Sequence, residues 1–372
     1  MKVVIAIDSF KGSLSSLQAG NAVKDAVLTV FPGAEVVVKP LADGGEGTVD
    51  AFEDAKAVTV TVTGPLQKPV DAKYCILPNG TAVMEMAAAA GITLISEKER
   101  NPLETTTYGM GEMIRDAISK GCRRFIIGIG GSATNDGGIG MLSALGYDFL
   151  DKNGNPVSIC GKGLKDIARI STANVLRPLA ECEFRIACDV ENPLCGETGC
   201  SAIYGPQKGA TPEMIAEMDG WLANYAEIAK TLSPTADPLQ PGVGAAGGLG
   251  FAFLTFLNAK LQSGIQLILE EISLENDIKN ADIVVTGEGR LDAQSVMGKA
   301  PVGVAKLAKQ HGKRVIAFSG CVTKDAEICN DHGIDAFFPI LREVTTLEEA
   351  LHTENAYQNL KKTATQVFRL LR

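Results

Sequence analysis

Residues 126–138 read Ile126-Ile127-Gly128-Ile129-Gly130-Gly131-Ser132-Ala133-Thr134-Asn135-Asp136-Gly137-Gly138. An apolar strand over 124–129 empties into glycines and hydroxyls, then into an acid and a predicted helix. Glycines let a backbone pass close to a ligand, and N–H groups at a helix start favour an anion. Ser132 and Thr134 add hydroxyl donors. Gly130, Gly131, Ser132, Thr134, Asn135 and Asp136 are therefore the expected cradle for a phosphate or carboxylate. Asp136 would repel such an anion unless a cation such as Mg²⁺ stood between them. The same residues would also serve a plain strand-to-helix turn.

Outward from this stretch, the chain alternates strand and helix. Residues 2–7 predict a buried strand, 15–31 an amphipathic helix stopped by Pro32-Gly33, 34–38 a strand and 45–53 a helix. Such alternation implies a parallel sheet with crossover helices. Between 58 and 86 the pattern changes to successive strands with turns at Gly64-Pro65 and Pro78-Asn79-Gly80, an antiparallel excursion. A helix over 107–120 and the strand 124–129 restore the α/β order. Further helices are predicted over 212–232 and 246–261, strands over 184–188, 281–286, 313–319 and 334–339, and a last helix over 355–371. The two ends share one alternation and the middle differs. The expected fold is α/β in two domains: a discontinuous Rossmann-like parallel-sheet domain (1–60 plus 265–372) and an inserted mixed α/β domain (61–264), with the active site in the cleft.

Composition narrows the function. A length of 372 residues exceeds a usual single core, which agrees with two domains. A net charge of −9 argues against nucleic acid and anionic membranes as partners, and an anionic substrate would have to be drawn in by local Lys or Arg. A first strand directly at the N-terminus, with no long apolar stretch, leads to the expectation of a cytoplasmic protein. The 9 cysteines lack a C-x-x-C pair, which suits reduced thiols. His311, His332 and His352 have no ligand spacing, so histidine-based catalysis is not expected.

Several other loops carry chemistry at predicted C-terminal strand ends, where open α/β sheets place ligands. In Asp8-Ser9-Phe10-Lys11-Gly12-Ser13, Asp8 and Ser9 are candidates for a metal or substrate and Lys11 for a phosphate or carboxylate. Helix capping by Ser13 or Ser15 would also explain that segment. Asp43-Gly44-Gly45-Glu46-Gly47-Thr48 puts Asp43 and Glu46 among three glycines, more than a turn needs. In Thr286-Gly287-Glu288-Gly289-Arg290-Leu291-Asp292, Glu288 and Asp292 suit a metal or hydroxyls, and Arg290 suits a phosphate clamp or an inter-domain ion pair. Ser295 and Gly298-Lys299 form another candidate anion site. Asp189, after strand 184–188, is a candidate general base for a hydroxyl nucleophile.

Two dinucleotide-like patterns suggest a nicotinamide oxidoreductase as a rival. Gly242-x-Gly244-x-x-Gly247 follows prolines instead of a strand. Gly128-x-Gly130-x-x-Ala133 does follow one, with Asp148 where a ribose acid would stand. Against this rival, the turn from Asp8 to Gly12 lacks the glycine pattern, and the carboxylate–glycine loops suit a metal–phosphate site better. A Walker A sequence is absent.

Taken together, Asp8-Ser-Phe-Lys-Gly, Ala42-Asp-Gly-Gly-Glu-Gly-Thr, the run from Gly130 to Gly138, Gly205-Pro-Gln-Lys-Gly-Ala, Gly244-Ala-Ala-Gly-Gly-Leu-Gly and Thr286-Gly-Glu-Gly-Arg-Leu-Asp resemble the bacterial type I glycerate kinases. The resemblance spans almost the whole chain, in order. It implies a two-domain kinase that phosphorylates D-glycerate with ATP and Mg²⁺, usually yielding 2-phosphoglycerate, whereas other glycerate kinase types yield the 3-phosphate. Phosphoryl transfer asks mainly for positioning and charge neutralisation. In that reading the run 130–136 cradles the nucleotide phosphates, with Asp136 and Glu288 on Mg²⁺. Lys11 and Arg290 bind the glycerate carboxylate or the transferred group, Lys208 adds positive charge, and Asp189 accepts the hydroxyl proton. A non-catalytic nucleotide sensor on the same fold is the third class, which would bind ATP without turnover.

Overall fold

The computed structural model describes residues 1–45, 47–52 and 55–372. Two compact units emerge, Met1–Glu53 with Gly264–Arg372, and Asp54–Ser263. Along the chain the strands are β1 (Lys2–Ile7), β2 (Glu35–Pro40), β3 (Lys56–Thr63), β4 (Pro69–Ile76) and β5 (Thr81–Glu85). There follow β6 (Arg124–Gly128), β7 (Asp148–Leu150), β8 (Arg169–Ser171), β9 (Glu183–Ala187) and β10 (Lys260–Gln262). The last three are β11 (Ile283–Leu291), β12 (Arg314–Val322) and β13 (Ala336–Pro339). Because β3 begins at Lys56 and pairs with β4, residues 56–60 sit in the second unit.

The first unit holds a five-stranded sheet in the order β13-β12-β11-β1-β2, parallel throughout. Interior strand β1 is fully buried from Val3 to Ile7, the continuous apolar run of a strand covered on both faces. Helix Ser16–Val30 starts at a capping box, in which Ser15 accepts from the Gln18 N–H and Gln18 accepts from the Ser15 N–H. Its Ala19, Val23, Ala26 and Val27 pack with Val3, Ile5 and Ile7 and with Leu360 and Phe368 of helix Thr353–Leu370. Each such Val, Leu, Ile or Phe side chain contributes about 1.5–3 kcal/mol when fully buried.

Two expectations change here. The helix predicted over 45–53 is a single turn, Thr48–Ala51. The strand predicted to end at Thr286 runs on to Leu291, so most of the Thr286–Asp292 motif is strand instead of loop. Its continuation is held by β12, which pairs with it as far as Leu291↔Val322. Gly287 permits this close pairing, since a Cβ there would stand 2.0 Å from the Phe318 carbonyl oxygen.

The second unit holds a six-stranded sheet in the order β10-β9-β6-β5-β4-β3. The predicted excursion is present, with β3–β4 and β4–β5 antiparallel, while β5, β6, β9 and β10 run parallel. Phe125 stacks on Phe184 at 4.8 Å between centroids, and Phe253 leans on Phe184, which ties helix Ala245–Leu257 to the sheet. That helix stops before the predicted 261, because Asn258 turns left-handed (φ 48°) and β10 follows. Among the described residues, no helix is long and apolar enough to cross a membrane.

Candidate functional site

In the second unit, β6 ends at Gly128 and the chain turns outward at Gly130 and Gly131, both exposed. The turn is tied to the segment around Gly91: Ile92 N–H donates to the Gly131 carbonyl, and Ala133 N–H to the Ala90 carbonyl, each at 2.9 Å. Ser132, next to these exposed glycines, is itself nearly buried at 7% exposure.

Beyond Ser132 the expectation needs correction. Thr134, Asn135 and Asp136 are fully buried, so they underpin the turn instead of lining a ligand surface. Asn135 donates to Ser201 Oγ at 2.9 Å. Asp136 Oδ2 accepts from Thr107 N and Thr107 Oγ1, both at 2.8 Å, and from Gly140 N at 3.4 Å, while Oδ1 accepts from Gly138 N at 3.0 Å. One carboxylate thus caps the starts of two helices, Tyr108–Ser119 and Ile139–Ala144. Burial pushes the Asp136 carboxyl above the ordinary range, opposed by these bonds from Thr107, Gly138 and Gly140. The positive ends of two helices explain an acid in this loop without a cation. Asp136 therefore does not present its oxygens to Mg²⁺.

The same geometry bears on the dinucleotide rival. The helix after β6 starts only at Ile139, with a buried N-terminus capped by Asp136, so the helix that follows this strand does not begin at the turn at 130–131 as that fingerprint requires.

Lys208, expected as a loop cation, is 2% exposed in the turn Pro206–Lys208. Its Nζ donates to Ser132 Oγ at 2.8 Å and to the Thr134 carbonyl at 2.7 Å. Burial pulls its ammonium down to about 8. A second brace comes from Ala246, Gly247 and Gly248, all left-handed, at the start of helix Ala245–Leu257. Gly247 accepts from Gly137 N–H at 2.9 Å. A Cβ on Gly247 would meet the Thr134 carbonyl oxygen at 2.2 Å, in a backbone (φ +66°) that side chains rarely adopt. Asp189 lies exposed just past the C-terminal end of β9, the strand that pairs with β6.

In the first unit, Asp8, Ser9, Lys11 and Asp43 line a cavity of about 280 Å³. Asp8 Oδ1 accepts from the Ser9 N–H and Asp43 Oδ1 from the Gly45 N–H, so both loops fold around their own acids. The Asp8 carboxyl is pushed up to about 7, first by burial and then by the charge of Asp43, with Glu288 adding and the Ser9 N–H and Lys11 opposing. Lys11 is exposed. Glu288 accepts a short bond from Ser295 Oγ and lies 3.9 Å from Lys299 Nζ. Burial raises its carboxyl, against Ser295 and Lys299. Ser295 and Lys299, expected as an anion site, are instead engaged with acids, for Lys299 also pairs with Asp292 at 3.5 Å. Arg290 is 67% exposed and 3.4 Å from Asp292. Glu46 lies outside the described residues.

Among the described residues, no three His, Cys, Asp or Glu side chains form a metal cage. Mg²⁺ does not ask for one, since it is commonly held by one or two carboxylates, waters and phosphates. Thr107, unremarked in the sequence, proves central beneath the turn. The run Thr105-Thr106-Thr107 ahead of a helix was the signal that could have found it.

Residues 3–372 match the family model of the glycerate kinase family. Glycerate kinase of Haemophilus influenzae is 48% identical over 375 residues, covering 100% of this chain and 99% of that protein. Glycerate 2-kinase of Escherichia coli is 46% identical over 364 residues, covering 97% of this chain and 95% of that protein. The crystal structure of a candidate glycerate kinase 2 from Salmonella typhimurium LT2 superposes with a TM-score of 0.92 at 43% identity, covering 100% of this chain and 98% of that one.

Proposed function

The chain belongs to the glycerate kinase family, and we propose that it transfers the ATP γ-phosphoryl group to D-glycerate, giving 2-phosphoglycerate and ADP. The observation that carries the nucleotide's place is the exposed Gly130-Gly131 turn at the end of β6, with Ser132 next to it and a buried ammonium behind it. Backbone N–H groups of an open glycine turn suit phosphate oxygens, and Ser132 adds a hydroxyl donor. Ser132→Ala is expected to weaken ATP binding by about 1.5–3 kcal/mol, read by calorimetry. Unchanged affinity would remove this turn from the nucleotide site.

The first unit's carboxylates serve the metal and the substrate in this reading. Asp8, Asp43 and Glu288 offer only hard oxygen donors, and the charges of Asp43 and Glu288, which add to burial in lifting the Asp8 carboxyl to about 7, favour a cation beside it. One or two of these carboxylates, with waters and the nucleotide phosphates, would hold Mg²⁺, which would supply neutralisation of phosphoryl charge. Lys11 and Arg290, both exposed, are the cations for the glycerate carboxylate or the phosphoryl oxygens. Ser9 donates to a glycerate hydroxyl. Asp189 accepts the proton of the attacking hydroxyl, supported by its exposed position at the end of β9 beside the strand that carries the turn.

Regiochemistry has a direct assay. Turnover coupled through enolase alone is expected to give signal with no phosphoglycerate mutase added. Signal only after adding mutase would mean the 3-phosphate.

A further inference from the structure

We propose that Lys208 is a positioning residue for the nucleotide: its buried ammonium holds Ser132 Oγ so that the hydroxyl proton is free for a phosphate oxygen, and the bound phosphate in turn compensates the ammonium. This inference rests on the nucleotide reading of the turn at 130–132 and adds a fixed charge beneath it.

An ammonium only donates, so in the 2.8 Å contact Ser132 Oγ is the acceptor and keeps its own proton for another partner. The Thr134 carbonyl, 2.7 Å away, takes a second Lys208 proton and fixes the ammonium in place. The charged and titratable groups around Lys208 offset its burial only in part. Asp136 favours the ammonium through its charge but makes its hydrogen bonds to Thr107, Gly138 and Gly140 and not to Lys208, and burial pushes the Cys200 thiol up to about 12, so that thiol stays neutral. Arg100, on the adjoining segment, brings a like charge, donating to the Gln207 carbonyl at 3.4 Å. Lys208 forms no ion pair among the described residues. A buried ammonium lacking a counter-ion is unfavourable, which is why burial draws Lys208 down to about 8. A phosphate at the turn supplies the missing negative charge. Above pH 8, nucleotide binding then transfers a proton from solvent onto Lys208.

The test measures ATP binding, with Mg²⁺, by calorimetry at pH 8.5 in two buffers of different ionisation enthalpy. At that pH the phosphates have lost their last proton, so uptake reports on the protein. The unaltered protein is expected to take up about half a proton or more, and Lys208→Met none. Lys208→Met is also expected to raise KM for ATP about tenfold while kcat at saturating ATP changes less than threefold. Combined with Ser132→Ala, it is expected to add little to the single effects, as for residues acting in series. No proton uptake by the unaltered protein overturns the inference, even if Lys208→Met fails to fold. If Ser132→Ala still weakens ATP in that case, the nucleotide reading survives and only the role of Lys208 falls. If Ser132→Ala leaves ATP affinity unaltered, the nucleotide reading itself falls, and this inference with it.

Discussion

Asp189→Asn is expected to lower kcat by about 10²–10⁴ while ATP affinity stays within about threefold. The substitution keeps the shape of the side chain and removes its ability to take the hydroxyl proton. The three histidines, His311, His332 and His352, all belong to the first unit, whereas Asp189 follows β9 of the second. Initial rates at saturating glycerate, ATP and Mg²⁺ read the effect. A kcat within about threefold of the unaltered enzyme, well under 1 kcal/mol of barrier, would sink the assignment. A large rise in the Mg²⁺ needed for half-maximal rate would instead make Asp189 a metal ligand.

Asp136→Ala is expected to lower stability by about 3–5 kcal/mol without changing the Mg²⁺ requirement of the protein that remains folded. Removing the carboxylate leaves the N–H groups of Thr107, Gly138 and Gly140 without their acceptor in a fully buried site. Two helix starts lose their cap at once. Denaturant titration checks this through a lowered midpoint at an unchanged slope. A midpoint that does not move, together with a steep rise in the Mg²⁺ requirement, would return Asp136 to the metal.

The architecture was legible wherever hydrophobic pattern and punctuation agreed. β1 and helix Ser16–Val30 stand where the apolar run, Ser15 and Pro32-Gly33 put them. Pattern failed where tertiary neighbours decide. β11 continues through two glycines because β12 supplies its ladder, and β10 replaces the expected end of a helix after left-handed Asn258. For the site, residue types marked candidate loops but not which side chains face outward. Ser132, Asp136 and Lys208 are polar residues of equal promise in the sequence. Only packing separates a nearly buried hydroxyl beside the turn from a buried double cap and a buried ammonium.

The pairing of Val3 with Ile283 joins strands 280 positions apart. On the ribosome, β1 and β2 emerge early and then wait for their central neighbour until the whole intervening unit has been made. At usual synthesis rates that wait is roughly a quarter of a minute to a minute. Meanwhile the Asp54–Ser263 unit is contiguous and closes its loops at shorter range, so it folds first. During the wait, the exposed flank of β1, Val-Val-Ile-Ala-Ile, is a ready template for pairing with other nascent chains. Pausing of translation between about 264 and 283 would lengthen that exposure, and a lower yield of the native protein, not a slower enzyme, would be its mark.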